Sequence, residues 1–229
     1  MFLKSTDAIS KGFETSTKNL IMFIPALAPI VVHLFFLFLA YVVFPVRYNY
    51  FPFFSSFLAT GGYFIAAILG FIASCMVVDM ANDNINGQPI DLNKSLNAVI
   101  GRLGDLIIAA IITAIFFVTI FLIPVALFII TITIIEKTSA IESTKKAIDF
   151  VLNNLGEVII FIILVIIVWL VFDVGFSIIP VIGPYLGSII SWLLNVVLTV
   201  AAVHFYLSLR PAPPSSPPSP PQEPESTTE

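Results

Sequence analysis

Apolar residues fall along this chain in long blocks, and the block lengths predict its elements. Leu20 to Phe44 and Phe57 to Val78 each reach the about 20 residues a helix needs to cross a hydrocarbon layer of about 30 Å. Val158 to Ile178 and Tyr185 to Leu209 do the same, separated by the breaker Pro180-Val-Ile-Gly-Pro184. Leu106 to Ile135 is a run of 30 uncharged residues with Pro124 after the eighteenth. By length it is either one kinked helix or two short arms turning at Ile123-Pro124.

The positions of the cations decide between them. If the run folds back, Lys4, Lys11, Lys18, Lys94, Arg102, Lys137, Lys145, Lys146 and Arg210 lie on one side of the membrane and Arg47 alone on the other. The excess of Lys and Arg on cytoplasmic loops favours that arrangement. The expectation is therefore an all-α polytopic helix bundle in the cell membrane with both termini cytoplasmic. Its six spans cover about 20–44, 57–78, 106–122, 125–135, 158–178 and 185–209. Arms of about 15 residues reach only about 22 Å, so bilayer thinning or re-entrance has to absorb the mismatch. The run from Leu20 is too long for the core of a signal peptide and ends in no small-x-small cleavage site, so it reads as a retained span.

Shorter polar segments precede the spans: residues 1–18, 91–105 and 141–157. Leu92, Leu96, Val99, Ile100 and Leu103 fall at helical spacing, as do Ile148, Val151, Leu152 and Leu155, with lysines opposite. Such helices suit the membrane–water interface. The last two segments align at a shift of 52 residues, Leu103-Gly104-Asp105 upon Leu155-Gly156-Glu157. A looser copy runs from Ser5 through Ala8, Ile9 and Phe13 to Asn19. The chain thus reads as three hairpin repeats, each an interfacial helix followed by two spans.

Four stretches carry a resemblance: Lys18-Asn-Leu-Ile-Met-Phe-Ile-Pro25, Asn86-Gly-Gln-Pro-Ile-Asp-Leu-Asn-Lys-Ser95, Ile123-Pro124 and Ile135-Glu136-Lys-Thr-Ser-Ala-Ile-Glu-Ser-Thr-Lys-Lys-Ala-Ile-Asp149. Over residues 1–210 the chain resembles prokaryotic, archaeal-type multi-pass membrane proteins of unknown function. That group is related to the membrane domain found beside some glycerophosphodiester phosphodiesterases. The resemblance implies a six-helix membrane domain with no assigned chemistry. The soluble barrel that hydrolyses the phosphodiester has no counterpart here, so that activity is not implied.

Composition narrows the function classes. Hydrophobic residues make up 59% and charged residues 10%, against roughly 45–50% and about 25% in soluble domains. A net charge of −4 with no basic stripe argues against nucleic acid as a partner. Cys75, the only cysteine, excludes a disulfide-stapled module. Spacings suited to a metal site, a phosphate loop or a catalytic triad are absent, so no cofactor and no enzymatic activity are expected.

Polar residues within apolar runs are expensive and mark candidate sites. Asp173 lies near the outer end of the fifth span. Ser188 and Ser191 enter the sixth span from the same side, with Asn195 a turn deeper. Together they form either a proton- or cation-binding site or a hydrogen-bonded pin within the hairpin. His33 lies in a span kinked by Pro25 and Pro29, where it either lines a cavity or bonds a freed carbonyl. His204 reads as interfacial. Gly62, Ala66 and Gly70, and Gly183, Gly187 and Ser191, form small-residue stripes for close helix packing. The aromatic stretch 45–56 suits an outer interfacial belt. Pro211 to Glu229 holds eight of the sixteen prolines and cannot bury a core, so it reads as a disordered tail whose PxxP spacings are open to a protein partner.

The function read from these features is a non-enzymatic scaffold or lipid-organising membrane protein. Its partners are the lipid bilayer and proteins meeting the tail or helix faces. The alternative is a small transporter or channel with Asp173 and His33 on its path. The sequence assigns no oligomeric state.

Overall fold

The computed structural model describes residues 2–44, 52–119, 122–177 and 183–210, and all of its regular structure is helical. The aromatic stretch around Arg47, most of the Pro180–Pro184 breaker and the proline-rich tail lie outside the described residues. α1 (Phe2–Lys18) leads through a 3₁₀ turn (Leu20–Phe23) into α2 (Ile24–Phe38), which ends in a π-helical turn (Leu39–Val43). There follow α3 (Pro52–Ile85), α4 (Leu92–Gly101), α5 (Leu103–Val118), α6 (Ile123–Ile135), α7 (Ala140–Asn153), α8 (Leu155–Ser177) and α9 (Gly183–Leu209).

Local chemistry sets the ends. Pro25 occupies the first turn of α2, where its missing N–H would be unpaired in any case. Asp91 caps α4 by accepting hydrogen bonds from the backbone of Asn93 at 2.8 Å and Lys94 at 3.1 Å. Ser139 caps α7, and Glu142 three residues on completes the Ser-x-x-Glu spacing of a capping box. Between α3 and α4 the chain turns at Gly87, whose φ of +71° only glycine adopts freely.

Four helical stretches are long and apolar enough to cross a membrane: Leu20–Val43, Phe53–Ile85, Leu155–Phe176 and Leu186–Leu209. A fifth arises if α4 and α5, which meet at a 74° bend, count as one. These helices mark the chain as a membrane protein. The count differs from the six spans expected because α5 has 16 residues and α6 only 13; at 1.5 Å per residue they reach about 24 Å and 20 Å. α3 also outruns its expected limit at Val78. Its 34 residues would extend about 50 Å, carrying Asp79 and Asp83 beyond the apolar stretch.

Side-chain bonds place the helix ends. Arg102, at the start of α5, donates to the carbonyl of Thr133 near the end of α6, so these two helices run antiparallel. Ser5 of α1 donates to the carbonyl of Glu157 at the start of α8. Thr15 meets His204 near the end of α9, and Ser95 of α4 bonds Asp79 near the end of α3. The short helices α1, α4 and α7 therefore gather at one end of the bundle. There α1, α4 and α7 carry six of the ten cations, Lys4, Lys11, Lys18, Lys94, Lys145 and Lys146, and Arg102, Lys137 and Arg210 lie beside them.

 Nine of the ten cations thus share one end of the bundle.

Each short helix turns small residues inward. Gly12, Ser16, Ser95, Val99, Ala147 and Val151 are buried, and α4 packs on α3, α7 on α5 and α6, and α1 on α8 and α9. Outward, α4 presents Ile100 at 57% exposure and α7 presents Leu152 at 67%. The apolar faces of α4 and α7 are therefore split, with Val99, Ala147 and Phe150 against protein and Ile100 and Leu152 facing out.

Two apolar clusters fill the interior, one around α2, α3 and α4 and the other around α6, α7 and α8, with α9 contributing to both. Phe161 and Phe205 stack with ring centres 4.4 Å apart, and Phe128 and Phe150 close around them. Lipid tails are as apolar as these side chains, so burial alone drives little association in a bilayer, and close packing carries more of it. Gly62 sits directly under Phe36, and Gly70 under Trp192, with no room for a Cβ at either. These small residues serve contacts within the chain.

Candidate functional site

A crevice of about 400 Å³ opens among α3, α5, α6, α8 and α9. Its walls are mostly apolar, with Phe117, Phe161 and Trp169 as the aromatic contributors, and none of its lining residues is ionisable. Polar groups enter at a few points: Ser74 from α3, Thr113 from α5, Thr131 from α6, and Asn195 and Thr199 from α9. Pockets of this size and lining suit small apolar molecules oriented by a few polar contacts.

Asn195 is exposed on this crevice and donates through Nδ2 to Ser74 Oγ at 3.0 Å. That bond ties α9 to α3. Thr113 behaves differently: it is 7% exposed, lines the same crevice, and its hydroxyl has no partner among the described residues. Thr133, equally deep in α6, follows the common alternative and donates to the carbonyl of Ile129, four residues back, at 2.8 Å. An unmade hydrogen bond on a buried hydroxyl costs about 1–3 kcal/mol.

The other expected site residues fall as follows. Ser188 and Ser191 are half-buried on α9, seven and four residues before Asn195, which places all three on one helical stripe. Asp173 lies on α8, four residues beyond Trp169, so its backbone occupies the next turn of the same face. His33 is elsewhere. It packs edge-on against Tyr63 of α3, with ring centres 5.8 Å apart, and its Nδ1 is buried with no partner among the described residues. No residue of α2 lines the crevice, so His33 is not brought together with Asn195.

A second polar constellation at the short-helix end was not anticipated. Asp79 and Asp83, one turn apart on α3, are 8% and 6% exposed. Asp79 accepts from Ser95 Oγ at 2.7 Å, and Asp83 pairs with Lys94 Nζ at 2.7 Å. Arg102 donates to the carbonyls of both Thr133 and Thr138 at 2.6 Å. Glu136, just past α6, accepts from the Tyr206 hydroxyl and pairs with Lys146 at 2.8 Å; Lys146 also reaches Glu142 at 3.0 Å. Burial pushes the Glu136 carboxyl up, but the bonds from Lys146 and Tyr206 outweigh it and hold the group below its ordinary value. The same bond to Glu136, and then that to Glu142, raises Lys146. A sequence signal existed for the acidic pair: two carboxylates at i and i+4 directly after an apolar run, facing a lysine-bearing helix.

Each of these carboxylates, Asp79, Asp83 and Glu136, is engaged by a hydroxyl or a cation. Among the described residues, no group of three or more His, Cys, Asp and Glu side chains is arranged to hold a metal ion. The chain matches no family model, no curated protein and no solved structure, so the resemblance to membrane domains beside glycerophosphodiester phosphodiesterases gains no support from relatives and the functional reading rests on the geometry.

Proposed function

We propose that this chain is a non-enzymatic integral membrane protein that organises lipids and protein partners along one leaflet. Three units, each a short interfacial helix followed by a hairpin of two spans, give six spans in the cell membrane with both termini cytoplasmic. The observation that carries the reading is the split face of the short helices. Ile100 and Leu152 point away from the bundle at the end where nine of the ten cations gather. A helix with one apolar set against protein, a second set outward and lysines nearby is suited to lie at the boundary of headgroups and acyl chains.

The helix contacts support the three units. Each short helix rests on the hairpin of the unit before it, and α1 closes the ring on α8 and α9. Counting back from Asn19, Arg102 and Asn154, which end α1, α4 and α7, seven residues lead to Gly12, Ser95 and Ala147, and three to Ser16, Val99 and Val151. All six are buried.

The test is a depth measurement. A polarity-sensitive dye on Ile100→Cys, in full-length protein reconstituted into lipid nanodiscs, should report the headgroup boundary and be quenched by lipids labelled near their headgroups. A dye that reports bulk water overturns the reading. Reporter tags inserted after residue 140 and at the C-terminus should share one compartment. Native mass spectrometry should find retained lipid or a partner, and a bare monomer counts against an organising role.

A second reading is a small transporter or channel. It is favoured by the stripe Ser188, Ser191 and Asn195 that descends α9 to the crevice, with Asp173 on the facing helix. It predicts an ion- or pH-dependent flux in reconstituted vesicles that Asp173→Asn abolishes; absence of any such flux removes it. His33, on α2, stands outside that path.

A further inference from the structure

We propose that the crevice between α5 and α8 binds an uncharged lipid, with a hydroxyl or carbonyl oxygen of that lipid held by Thr113 and Asn195. The proposal rests on the membrane reading above and adds a ligand class to it. Three observations carry it. The crevice offers about 400 Å³, within the range of small-molecule sites, and lies along helices with exposed apolar flanks, Phe117 at 47% and Ile166 at 54%. Its lining holds no cation or anion, so a phosphate headgroup would enter without a counter-charge and a neutral molecule would not. Finally, Thr113 is more than nine-tenths buried, lines the crevice and leaves its hydroxyl unpaired.

The donors define the recognition. Asn195 spends one Nδ2 hydrogen on Ser74 and keeps a second hydrogen and its Oδ1. Thr113 supplies a hydroxyl that both donates and accepts. A ligand oxygen with an apolar body matches that set, because an alkane leaves Thr113 unpaired and an ion lacks a partner. Diacylglycerols and isoprenoid quinones share this chemistry, the first through a hydroxyl and ester carbonyls, the second through ring carbonyls against the aromatic wall.

The experiment uses full-length protein in phosphatidylcholine nanodiscs, titrated separately with a short-chain diacylglycerol, a short-chain quinone and a short-chain phosphatidylglycerol. Binding is read by quenching of tryptophan fluorescence and by native mass spectrometry. One of the two neutral probes should bind saturably at one per chain, and which one binds identifies the source; the phosphatidylglycerol should not compete. Thr113→Val should weaken binding about five-fold, as expected for one net hydrogen bond, while Thr113→Ser restores it. Ala202→Phe, which fills the crevice from α9, should remove it. Binding that is unsaturable, equal for the charged probe, or unchanged in both Thr113→Val and Ala202→Phe overturns the proposal. The dye at residue 100 separates the two failures: a headgroup signal without saturable binding sinks the crevice site alone, and a bulk-water signal sinks the membrane reading beneath it.

Discussion

The Tyr206 hydroxyl donates to the Glu136 carboxylate, joining the last turns of α9 to the end of α6. Seventy residues separate the two in sequence. Lys146 of α7 completes the junction on the same carboxylate, so one half-buried acid gathers three helices. Polar junctions of this kind hold a bundle end in register where apolar packing has no preferred direction.

Removing the Tyr206 hydroxyl takes one of its two partners from the Glu136 carboxylate and leaves the Lys146 pair in place. Tyr206→Phe should lower stability by about 1.5–3 kcal/mol, the usual worth of a hydrogen bond to a charged group. Thermal unfolding of purified protein, followed by circular dichroism, measures it. A change indistinguishable from zero would mean that the bond is not formed in solution.

Acid should loosen the same junction. Because the folded Glu136 carboxyl is held below its ordinary value of 4.5, its contribution is whole above that value and is lost as pH falls through the lowered folded value. Lys146 acts with the opposite sign. Its raised folded value leaves its contribution whole below 10.5 and loses it as pH rises through that higher value. Midpoint temperatures recorded across pH should show both flanks in the native protein, with the acid flank flattened in Glu136→Gln.

Arg102 spans two carbonyls, Thr133 and Thr138, with the fork of one guanidinium. Arg102→Lys should reach no more than one of them, and Arg102→Ala neither. The alanine variant should be the less stable, and by about 1.5–3 kcal/mol relative to the native protein for each bond to a charged donor that is lost. Equal losses in the two variants would show that only the charge matters.

A Cβ on Gly12 would lie 2.6 Å from Cβ of Ala201 and 2.9 Å from its backbone. Gly12→Ala should therefore push α1 off α9, at an overpacking cost of about 1–3 kcal/mol. Gly101→Ala, whose added Cβ meets nothing within 4 Å, should be neutral or stabilising by up to about 1 kcal/mol. Proteolysis near the N-terminus should accelerate in the first variant alone.

What could be read from residue order was the local and the periodic. Long apolar blocks announced the helices, Ser139-x-x-Glu142 carried a helix start, and the placement of lysines pointed to the fold-back between Leu106 and Ile135. Partnerships across long separations were hidden. Asn195 stood out as an amide in an apolar run, but nothing near it in sequence pointed to Ser74, 121 residues away. Thr113 gave no signal, because a threonine in a helix ordinarily satisfies itself on the preceding turn. Asp79 and Asp83 escaped because the apolar block ends at Val78 while the helix continues, its charges sustained by Ser95 and Lys94 of a later helix.

The seating of α1 on α8 and α9 couples the first described helix to the last two. During synthesis α1 emerges long before the helices that seat it, and its small-residue stripe stays uncovered until α8 and α9 follow. A ribosome product halted ahead of α9 would then carry an open seam, with the Gly12 and Ser16 stripe accessible to quality-control proteases or to a neighbouring copy. The arrival of α9 is thus what gives α1 its largest seat.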